Sequence, residues 1–249
     1  MRYDGADERL SRKHATHFYL PPLWGKVPAR CEAAYLRAEG GYLSGERSVN
    51  TAPHIQEVEL GGDKSFVGAW FLSDLKICDE LIRYFHAKEG KVEGEIGHNR
   101  TVNKDIKDSL DLYIPPEHFS HPIVAKYLRL LREVAAAYGE KYQAAVAVQP
   151  WGITENINIQ YYKPAGGYKE WHTERIGRML PSANRHLAFM TYLNDVHDEG
   201  GTEFYYQRLR SPARKGLTLI WPVDWTHLHR GVVSPTEEKY IITGWFSFL

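Results

Sequence analysis

From Pro150 onward the chain alternates short apolar segments with glycine- and proline-containing turns, and this pattern restricts the fold more than any other feature. The turns lie at 164–167, 198–201 and 234–235. Short apolar segments between such turns are typical of antiparallel β-strands. The predicted strands are 156–162, 168–174, 186–194, 202–206, 217–221 and 239–248.

Two amphipathic helices are predicted before this strand-rich region. Apolar residues recur at intervals of three and four between Leu75 and Phe85, which indicates a helix that begins after a Ser73 cap and ends near residue 88. A second stripe predicts a helix that opens with Ser120 as its cap and Pro122 in its first turn, and runs to residue 142. One further strand is predicted at 66–71, ahead of the first helix.

A chain of 249 residues is long enough to form one large domain. We predict a single domain over 1–249, with an N-terminal extension (1–60), a helical support region (61–149) and a β core (150–249). One short helix is expected within the extension, at 30–38. Six strands preceded by two helices favour a mainly β fold with supporting α-helices, built as a sandwich or a barrel.

Composition excludes several classes of protein. Basic and acidic residues number 31 each, so no net charge attracts nucleic acid or an anionic membrane. The two cysteines form no C-x-x-C pair, which argues against a disulfide framework and fits a reducing compartment. The amino terminus lacks the apolar region of a signal peptide, and no window reaches the ~18 apolar residues of a membrane span. We therefore expect a soluble cytoplasmic protein with no membrane partner.

His172 and Glu174 form the core of a predicted metal site. Residues two apart in a strand share a face, so both side chains can reach one ion. A third ligand must come from another part of the chain, and either His227 or His229 can supply it. Two histidines and one carboxylate form the facial triad of non-haem Fe(II) oxygenases. A structural zinc site would close its fourth position with Cys or His, and neither cysteine lies near this segment.

Further motifs accompany these residues in a characteristic order. They are Tyr162, Gly166-Gly167, His172, Glu174, the arginine-led segment 185–194 that ends in Tyr-Leu-Asn, Gly200-Gly201-Thr202-Glu203-Phe204, His229-Arg230-Gly231, Lys239 and Trp245. Over residues 156–246 this order resembles the prolyl 4-hydroxylase-like branch of the Fe(II)/2-oxoglutarate-dependent dioxygenase superfamily. The chain departs from the pattern at Glu174, where most members carry aspartate; glutamate offers the same ligand chemistry on a longer side chain.

The resemblance implies a fold, cofactors and site residues. The implied core is a double-stranded β-helix, a jelly-roll of the cupin-like type, and the implied cofactors are Fe(II), 2-oxoglutarate as cosubstrate and O2 as oxidant. The pattern selects His229 over His227 as the third ligand beside His172 and Glu174. It implies cosubstrate-binding roles for Lys239, Thr243, Tyr162 and Tyr192. Asn158, Gln160, Trp245, Arg175 and Arg230 are candidates for lining the pocket or contacting substrate.

The implied reaction is hydroxylation of an unactivated carbon, with 2-oxoglutarate decarboxylated to succinate and CO2. Family resemblance favours a prolyl or other residue in a peptide as substrate, with a free amino acid or a small metabolite as the next choice. No protein nucleophile is required, which agrees with the absence of G-x-S-x-G, H-E-x-x-H and P-loop motifs. The alternatives are a non-catalytic metal-binding jelly-roll protein, an oxidative demethylase acting on a nucleobase or small molecule, and a zinc hydrolase.

Overall fold

The computed structural model of the protein describes residues 55–97 and 99–249. The helix predicted at 30–38 and most of the predicted extension (1–60) lie outside the described residues. Within the described ranges, every helix is too short or too polar to cross a bilayer.

The described chain contains three α-helices and a larger set of β-strands. The helices are α1 (Lys76–Ala87), α2 (Pro122–Lys141) and the short α3 (Gln143–Val146). The strands are β1 (Gly68–Phe71), β2 (Val92–Glu93), β3 (Glu95–Ile96), β4 (Thr101–Val102), β5 (Leu110–Ile114), β6 (Trp151–Gly152), β7 (Ile157–Tyr162), β8 (Arg185–Tyr192), β9 (Thr202–Phe204), β10 (Leu209–Arg210), β11 (Leu217–Pro222), β12 (His229–Gly231) and β13 (Lys239–Phe248).

The strands form one large and two small antiparallel sheets. The large sheet has the order β1-β11-β8-β13-β7-β5-β2, and β6 also pairs with β13. The second sheet has the order β10-β9-β12, and β3 pairs with β4 in a separate hairpin. Strand β13 lies at the centre of the large sheet, where Lys239 faces Tyr162 of β7 and Ile241 faces both Gln160 of β7 and Tyr192 of β8.

Alternation along the central strands divides the core into two layers. Leu187 and Phe189 of β8 pack with apolar residues of α1 and α2 on one face of the large sheet. Ala188 and Met190 point to the opposite face, where they join Phe204 of the second sheet. Side chains two apart in a strand share a face, so the mainly β core with helical support follows from the strand pattern predicted above. The helices cover one face, and the other face is left for a site between the sheets.

Five strands of the large sheet, β1, β7, β8, β11 and β13, lie close to their predicted positions, but the helix starts differ. Helix α1 begins at Lys76, because Asp74 rather than Ser73 accepts the backbone N–H of Lys76, at 2.9 Å. The Ser73 hydroxyl instead donates to Glu133 of α2, at 2.6 Å. Helix α2 begins at Pro122, with His121 rather than Ser120 preceding it.

Strands β2 to β5 were missed by the sequence prediction, which treated this region as polar and irregular. The residue pattern does not predict β5, because Asp111, a residue typical of loops, occupies a fully buried position in this strand. Its carboxylate is satisfied there by Lys107, Ser109 and Asn158, so the local sequence preference is overridden by tertiary hydrogen bonds.

Candidate active site

The segment that carries His172 and Glu174 is not the continuous strand predicted over 168–174. His172 exchanges backbone hydrogen bonds with His229, at 2.9 and 3.0 Å, and the N–H of Gly231 donates to the carbonyl of Tyr168. Five residues from 168 to 172 therefore oppose only three residues of β12. The surplus residues interrupt the ladder, so His172 forms an isolated bridge with His229, and Tyr168 forms one with Lys107.

The structure nevertheless brings His172, Glu174 and His229 together. Their candidate ligand atoms all lie within 4.8 Å of one another. Oε1 of Glu174 lies 3.2 Å from Nε2 of His229 and 3.8 Å from Nε2 of His172. Separations of this size fit three ligands on one face of a single ion with metal–ligand bonds of about 2.1 Å. Among the residues described, these three form the one such cluster of His, Cys, Asp or Glu side chains.

Backbone carbonyls orient both imidazole rings. Nδ1 of His172 donates to the carbonyl of Glu170 at 2.9 Å, and Nδ1 of His229 donates to the carbonyl of His227 at 2.9 Å. A carbonyl can only accept, so each ring carries its proton on Nδ1 and presents the Nε2 lone pair towards the cluster. Burial, together with the neighbouring His229, lowers the pKa of His172 to about 4, which keeps this ring neutral near pH 7.

Trp245 and Arg185 hold the carboxylate ligand in place. The indole Nε1 of Trp245 donates to Oε2 of Glu174 at 2.9 Å, and Arg185 donates to the Glu174 carbonyl at 2.8 Å. The Arg185 guanidinium also stacks on the Trp245 ring at 3.4 Å and forms a bidentate pair with Glu155. Burial raises the pKa of Glu174, but the adjacent His229 side chain and the charge of Arg185 outweigh that effect and lower the pKa to about 2. The longer glutamate is thus ionised, and the Trp245 indole holds it through Oε2.

His227, the other candidate for the third ligand, points away from this cluster. Its Nε2 donates to the carbonyl of Ser65 at 3.0 Å, and its Nδ1 lies 3.0 Å from the Thr226 hydroxyl. Both ring nitrogens of His227 therefore already have hydrogen-bond partners outside the cluster. The ring is buried and joins its own turn to the segment that precedes β1.

The cluster opens into a cavity of about 620 Å³ between the two sheets. The alternating residues of β13, Lys239, Ile241, Thr243 and Trp245, all line this cavity. The Lys239 ammonium donates to the carbonyl of Gly200 at 2.8 Å, and it lies 5.0 Å from the ring centre of Tyr162. Across the described ranges no carboxylate pairs with it, and burial lowers the pKa of Lys239 to about 8. The cavity therefore contains a buried cation that lacks an anion.

Several predicted pocket residues lie on the cavity wall. Tyr162, Asn158 and Gln160 of β7 line it, and the Tyr162 hydroxyl donates to Gln160 at 2.6 Å. Asn158 donates to Asp111, while its side-chain oxygen is buried without a partner. The Thr243 hydroxyl donates to the carbonyl of Phe189 and keeps its lone pairs for another donor.

Three predicted site residues are not brought to the cavity. Tyr192 is fully buried, and its hydroxyl is hydrogen-bonded to Thr202 and Ser211, at 2.8 Å each. Arg175 forms a bidentate pair with Asp224 outside the cavity. Arg230 pairs with Glu203 and stacks on Trp171, at 4.4 Å, on the outer face of the second sheet. Ion pairs with Asp224 and Glu203 hold these two arginines away from the cavity.

Other residues of the site were missed by sequence reasoning. Tyr168 lines the cavity and stacks on the His172 ring, with centroids 3.8 Å apart and planes 9° from parallel. Lys107 also lines it and forms a buried pair with Asp111, at 2.6 Å. Glu155, the partner of Arg185, had no signal in the local sequence. Of these contacts, only that between Glu155 and Arg185 joins distant segments, 30 residues apart in the chain.

Comparisons with known proteins agree with this arrangement. Residues 157–247 match the family model of the 2OG-Fe(II) oxygenase superfamily. No curated protein sequence matches the chain. Among solved structures, it is similar to the viral collagen prolyl hydroxylase of Paramecium Bursaria Chlorella virus-1 in a 2OG complex, with a TM-score of 0.55, 16% identity, and coverage of 74% of this chain and 97% of that chain.

Two further solved structures show the same likeness. A Pseudomonas putida prolyl-4-hydroxylase has a TM-score of 0.55 and 16% identity over 73% of this chain and 92% of that chain. A Trichoplax adhaerens prolyl hydroxylase, solved with a hypoxia inducible factor peptide fragment, has a TM-score of 0.59 and 14% identity over 75% of this chain and 85% of that chain. The fold is therefore the double-stranded β-helix, as predicted.

The match and the fold together define a class, the non-haem iron dioxygenases that depend on 2-oxoglutarate. Residues 157–247 match the 2OG-Fe(II) oxygenase superfamily, which confirms the resemblance predicted from the sequence motifs. The protein's cofactors are those of the superfamily, Fe(II) and 2-oxoglutarate, with O2 as the oxidant.

Proposed function

We propose that this protein is a hydroxylase that uses Fe(II) and 2-oxoglutarate to oxidise an unactivated carbon of an amino-acid residue, with a prolyl residue of a peptide as the first substrate to test. The observation that carries the proposal is the pairing of two features in one cavity. A cluster of two histidines and one carboxylate lies beside a buried lysine that lacks an anionic partner.

His172, Glu174 and His229 are proposed to hold Fe(II). Their donor set is the facial triad, which leaves positions for the cosubstrate and oxygen. Glu174 is ionised and His172 is neutral near pH 7, which are the protonation states that bind a metal. When bound, Fe(II) and 2-oxoglutarate supply the oxidising chemistry, in which O2 is consumed, 2-oxoglutarate becomes succinate and CO2, and a C–H bond of the substrate becomes C–OH.

Lys239 is proposed to bind the distal carboxylate of 2-oxoglutarate. A charge-assisted hydrogen bond from a buried ammonium is stronger than a neutral one, and the anion would also compensate the burial of the lysine charge. Thr243 lines the same face of β13, and its hydroxyl can turn from the Phe189 carbonyl to donate to this carboxylate, while Tyr162 closes the cavity beside the ammonium. These residues position the cosubstrate and exclude water around it.

A prolyl substrate is supported by the similar solved structures, each of which is a prolyl hydroxylase. The chain's own residues would then act by positioning. Trp245 and Arg185 fix the carboxylate ligand, and backbone carbonyls fix both imidazoles, so the ligand atoms need little rearrangement to bind the metal.

The proposal is tested by titrating the purified protein with Fe(II) and then 2-oxoglutarate in the absence of oxygen. Chelation of Fe(II) by the keto acid is expected to produce a weak visible charge-transfer band that saturates with 2-oxoglutarate. The matched control replaces 2-oxoglutarate by succinate, which lacks the keto group and is expected to give no band. A wild-type protein that binds Fe(II) but never develops the band would rule out this function.

A further inference from the structure

The two histidines of the metal cluster are held by the protein to different degrees. The imidazole of His229 is enclosed by Trp221 and Phe204, whose ring centres lie 5.0 and 5.6 Å from its own, and its backbone pairs with Phe204 in the second sheet. The side chain of His172 is 17% exposed, against 6% for His229, and its segment joins β12 through an isolated bridge. A ligand on such a segment needs further contacts to hold its ring in place.

Tyr168 makes a contact that holds the plane of the His172 imidazole. The two rings stack with their centroids 3.8 Å apart and their planes 9° from parallel. The hydrogen bond from Nδ1 of His172 to the Glu170 carbonyl restrains one atom of the imidazole more than the tilt of its plane. The stack restrains that tilt, because rotation would drive the edge of the imidazole into the tyrosine ring.

The segment that carries Tyr168 is held in turn by residues 103–109, called here the buttress loop. Two backbone hydrogen bonds, of 2.8 and 2.9 Å, join this loop to residues 167–169. Between these bonds, Lys107 and Tyr168 face each other in an isolated antiparallel bridge. The opposite edge of the segment contacts β12, where the N–H of Gly231 donates to the Tyr168 carbonyl at 2.8 Å. Tyr168 is therefore fixed between β12 and the buttress loop.

A buried carboxylate fixes the side chain of Lys107. The Lys107 ammonium lies 2.6 Å from the fully buried carboxylate of Asp111, and it lies 5.9 Å from the ring centre of Tyr168, within cation–π range. Ser109 and Asn158 also donate to this carboxylate, at 2.7 and 3.0 Å, so both of its oxygens accept hydrogen bonds. A continuous series of contacts thus joins strand β5 to the proposed metal ligand.

Stability alone gives little reason for an ion pair between Lys107 and Asp111. Both side chains are buried, and replacing such a pair by apolar residues of similar volume is often neutral or stabilising, because two charges no longer have to leave water. A charge-assisted hydrogen bond does provide defined geometry, which apolar packing does not. At this position it holds the ammonium against the ring that stacks on His172.

We propose that Lys107, Asp111 and Tyr168 are positioning residues that hold the His172 imidazole in the orientation that binds the metal. The inference rests on the proposed function and deepens it. None of the three belongs to the cluster of candidate ligands, so each acts on the ion through His172. Loss of these contacts is expected to weaken metal binding about 10-fold, since removing the partner of a metal ligand typically costs about 10- to 100-fold in affinity.

The first test measures the affinity for Co(II) and its visible absorption bands in the full chain, without oxygen, 2-oxoglutarate or substrate. Tyr168→Leu keeps an apolar side chain but loses the stack, and it is expected to bind Co(II) about 10-fold more weakly and with shifted bands. Tyr168→Phe keeps the ring and should match the wild type in both measurements. Wild-type affinity and bands in folded Tyr168→Leu would overturn the proposal.

A second test addresses the ion pair. Lys107→Met combined with Asp111→Asn removes both charges and leaves neither unpaired, and this double variant is expected to reproduce the weaker binding and shifted bands of Tyr168→Leu. Adding Tyr168→Leu to it should cause little further loss, because residues that act through one contact are not additive. Independent effects would instead multiply to about 100-fold. Lys163→Met, which removes an exposed ion pair to Asp108 of the buttress loop, is the matched control and should behave as wild type.

A multiplied loss in the combined variant, or wild-type binding in the folded double variant, would overturn the role of the ion pair. Thermal unfolding is recorded for each variant, because a purely structural role would lower the unfolding temperature and leave the Co(II) bands of the folded protein unchanged. If the double variant does not fold, the comparison of Tyr168→Leu with Tyr168→Phe decides. A wild-type protein that binds no Co(II) would refute the metal site and the proposed function, whereas unaltered binding in Tyr168→Leu would refute the positioning role alone.

Discussion

Replacing His229 by alanine is expected to abolish Fe(II) binding, whereas His227→Ala retains it. Loss of a hydrogen-bond partner of a metal ligand already weakens metal binding roughly 10- to 100-fold, so loss of a ligand itself should exceed about 100-fold. Nε2 of His229 lies 3.2 Å from the Glu174 carboxylate, but Nε2 of His227 is bonded to the Ser65 carbonyl. Direct titration with Fe(II), or with Co(II) as a coloured probe, measures the difference without any turnover.

The His227 variant serves as the matched control for this prediction. His227 is buried, so His227→Ala should lower thermal stability through the lost hydrogen bond and packing, while its metal affinity stays near that of wild type. Loss of metal binding in His227→Ala together with its retention in His229→Ala would show that the third ligand has been misassigned.

Lys239→Ala is expected to weaken 2-oxoglutarate binding while leaving Fe(II) affinity nearly unchanged. Removing one partner of a buried charge pair costs roughly 2–5 kcal/mol, which is about 30- to several-thousand-fold in Kd. Lys239 contacts the Gly200 carbonyl and the Tyr162 ring, and its hydrogen bonds reach none of the three proposed metal ligands. The 2-oxoglutarate dependence of the anaerobic visible band measures the effect.

Lys239 is also expected to make the affinity of the wild type for 2-oxoglutarate depend on pH. Burial lowers the pKa of Lys239 to about 8 in the absence of an anion, and only the protonated ammonium binds a carboxylate strongly. Affinity for 2-oxoglutarate should therefore be full below about pH 8 and fall as the pH rises above it. Lys239→Ala should lose this dependence, and Lys163→Ala, at an exposed lysine, should keep it. An unchanged 2-oxoglutarate titration in Lys239→Ala would remove the lysine from the cosubstrate site.

The sequence predicted the parts of the fold that depend on local alternation. Strand β13 has its predicted bounds, 239–248, and its alternate residues Lys239, Thr243 and Trp245 share the cavity face. The same reasoning placed His172 and Glu174 on one side of an extended segment. Although the ladder is interrupted here, the ligand atoms of the two side chains lie within 4.8 Å of each other.

The interactions that complete the site could not be read from the sequence. Arg175 and Arg230 were candidates because of their proximity to the ligands, but their partners Asp224 and Glu203 come from other segments and hold them outside. Tyr192 lies at the predicted strand position, yet its hydroxyl is engaged by Thr202 and Ser211. Pairing across distant segments depends on tertiary structure, which a local pattern does not encode.

The pairing of Arg185 with Glu155 on the cavity wall is likewise a tertiary property. Glu155 lies 30 residues before Arg185, and a pattern search has no reason to join them. Arg185 and Lys107 on the cavity wall each have a carboxylate partner, whereas Lys239 contacts the Gly200 carbonyl. The structure thus supplies what the motifs lacked, namely which cation remains available to an anion.

The most direct test of the central claim is turnover of 2-oxoglutarate under isotopically heavy O2. Wild-type protein with Fe(II) and a prolyl peptide is expected to form succinate that contains one heavy oxygen atom, and hydroxylated peptide that contains the other, as measured by mass spectrometry. Both products should disappear in His229→Ala. Wild-type protein that binds Fe(II) and 2-oxoglutarate but forms no heavy succinate, with or without peptide, would contradict the assignment of this site as an oxygenase centre.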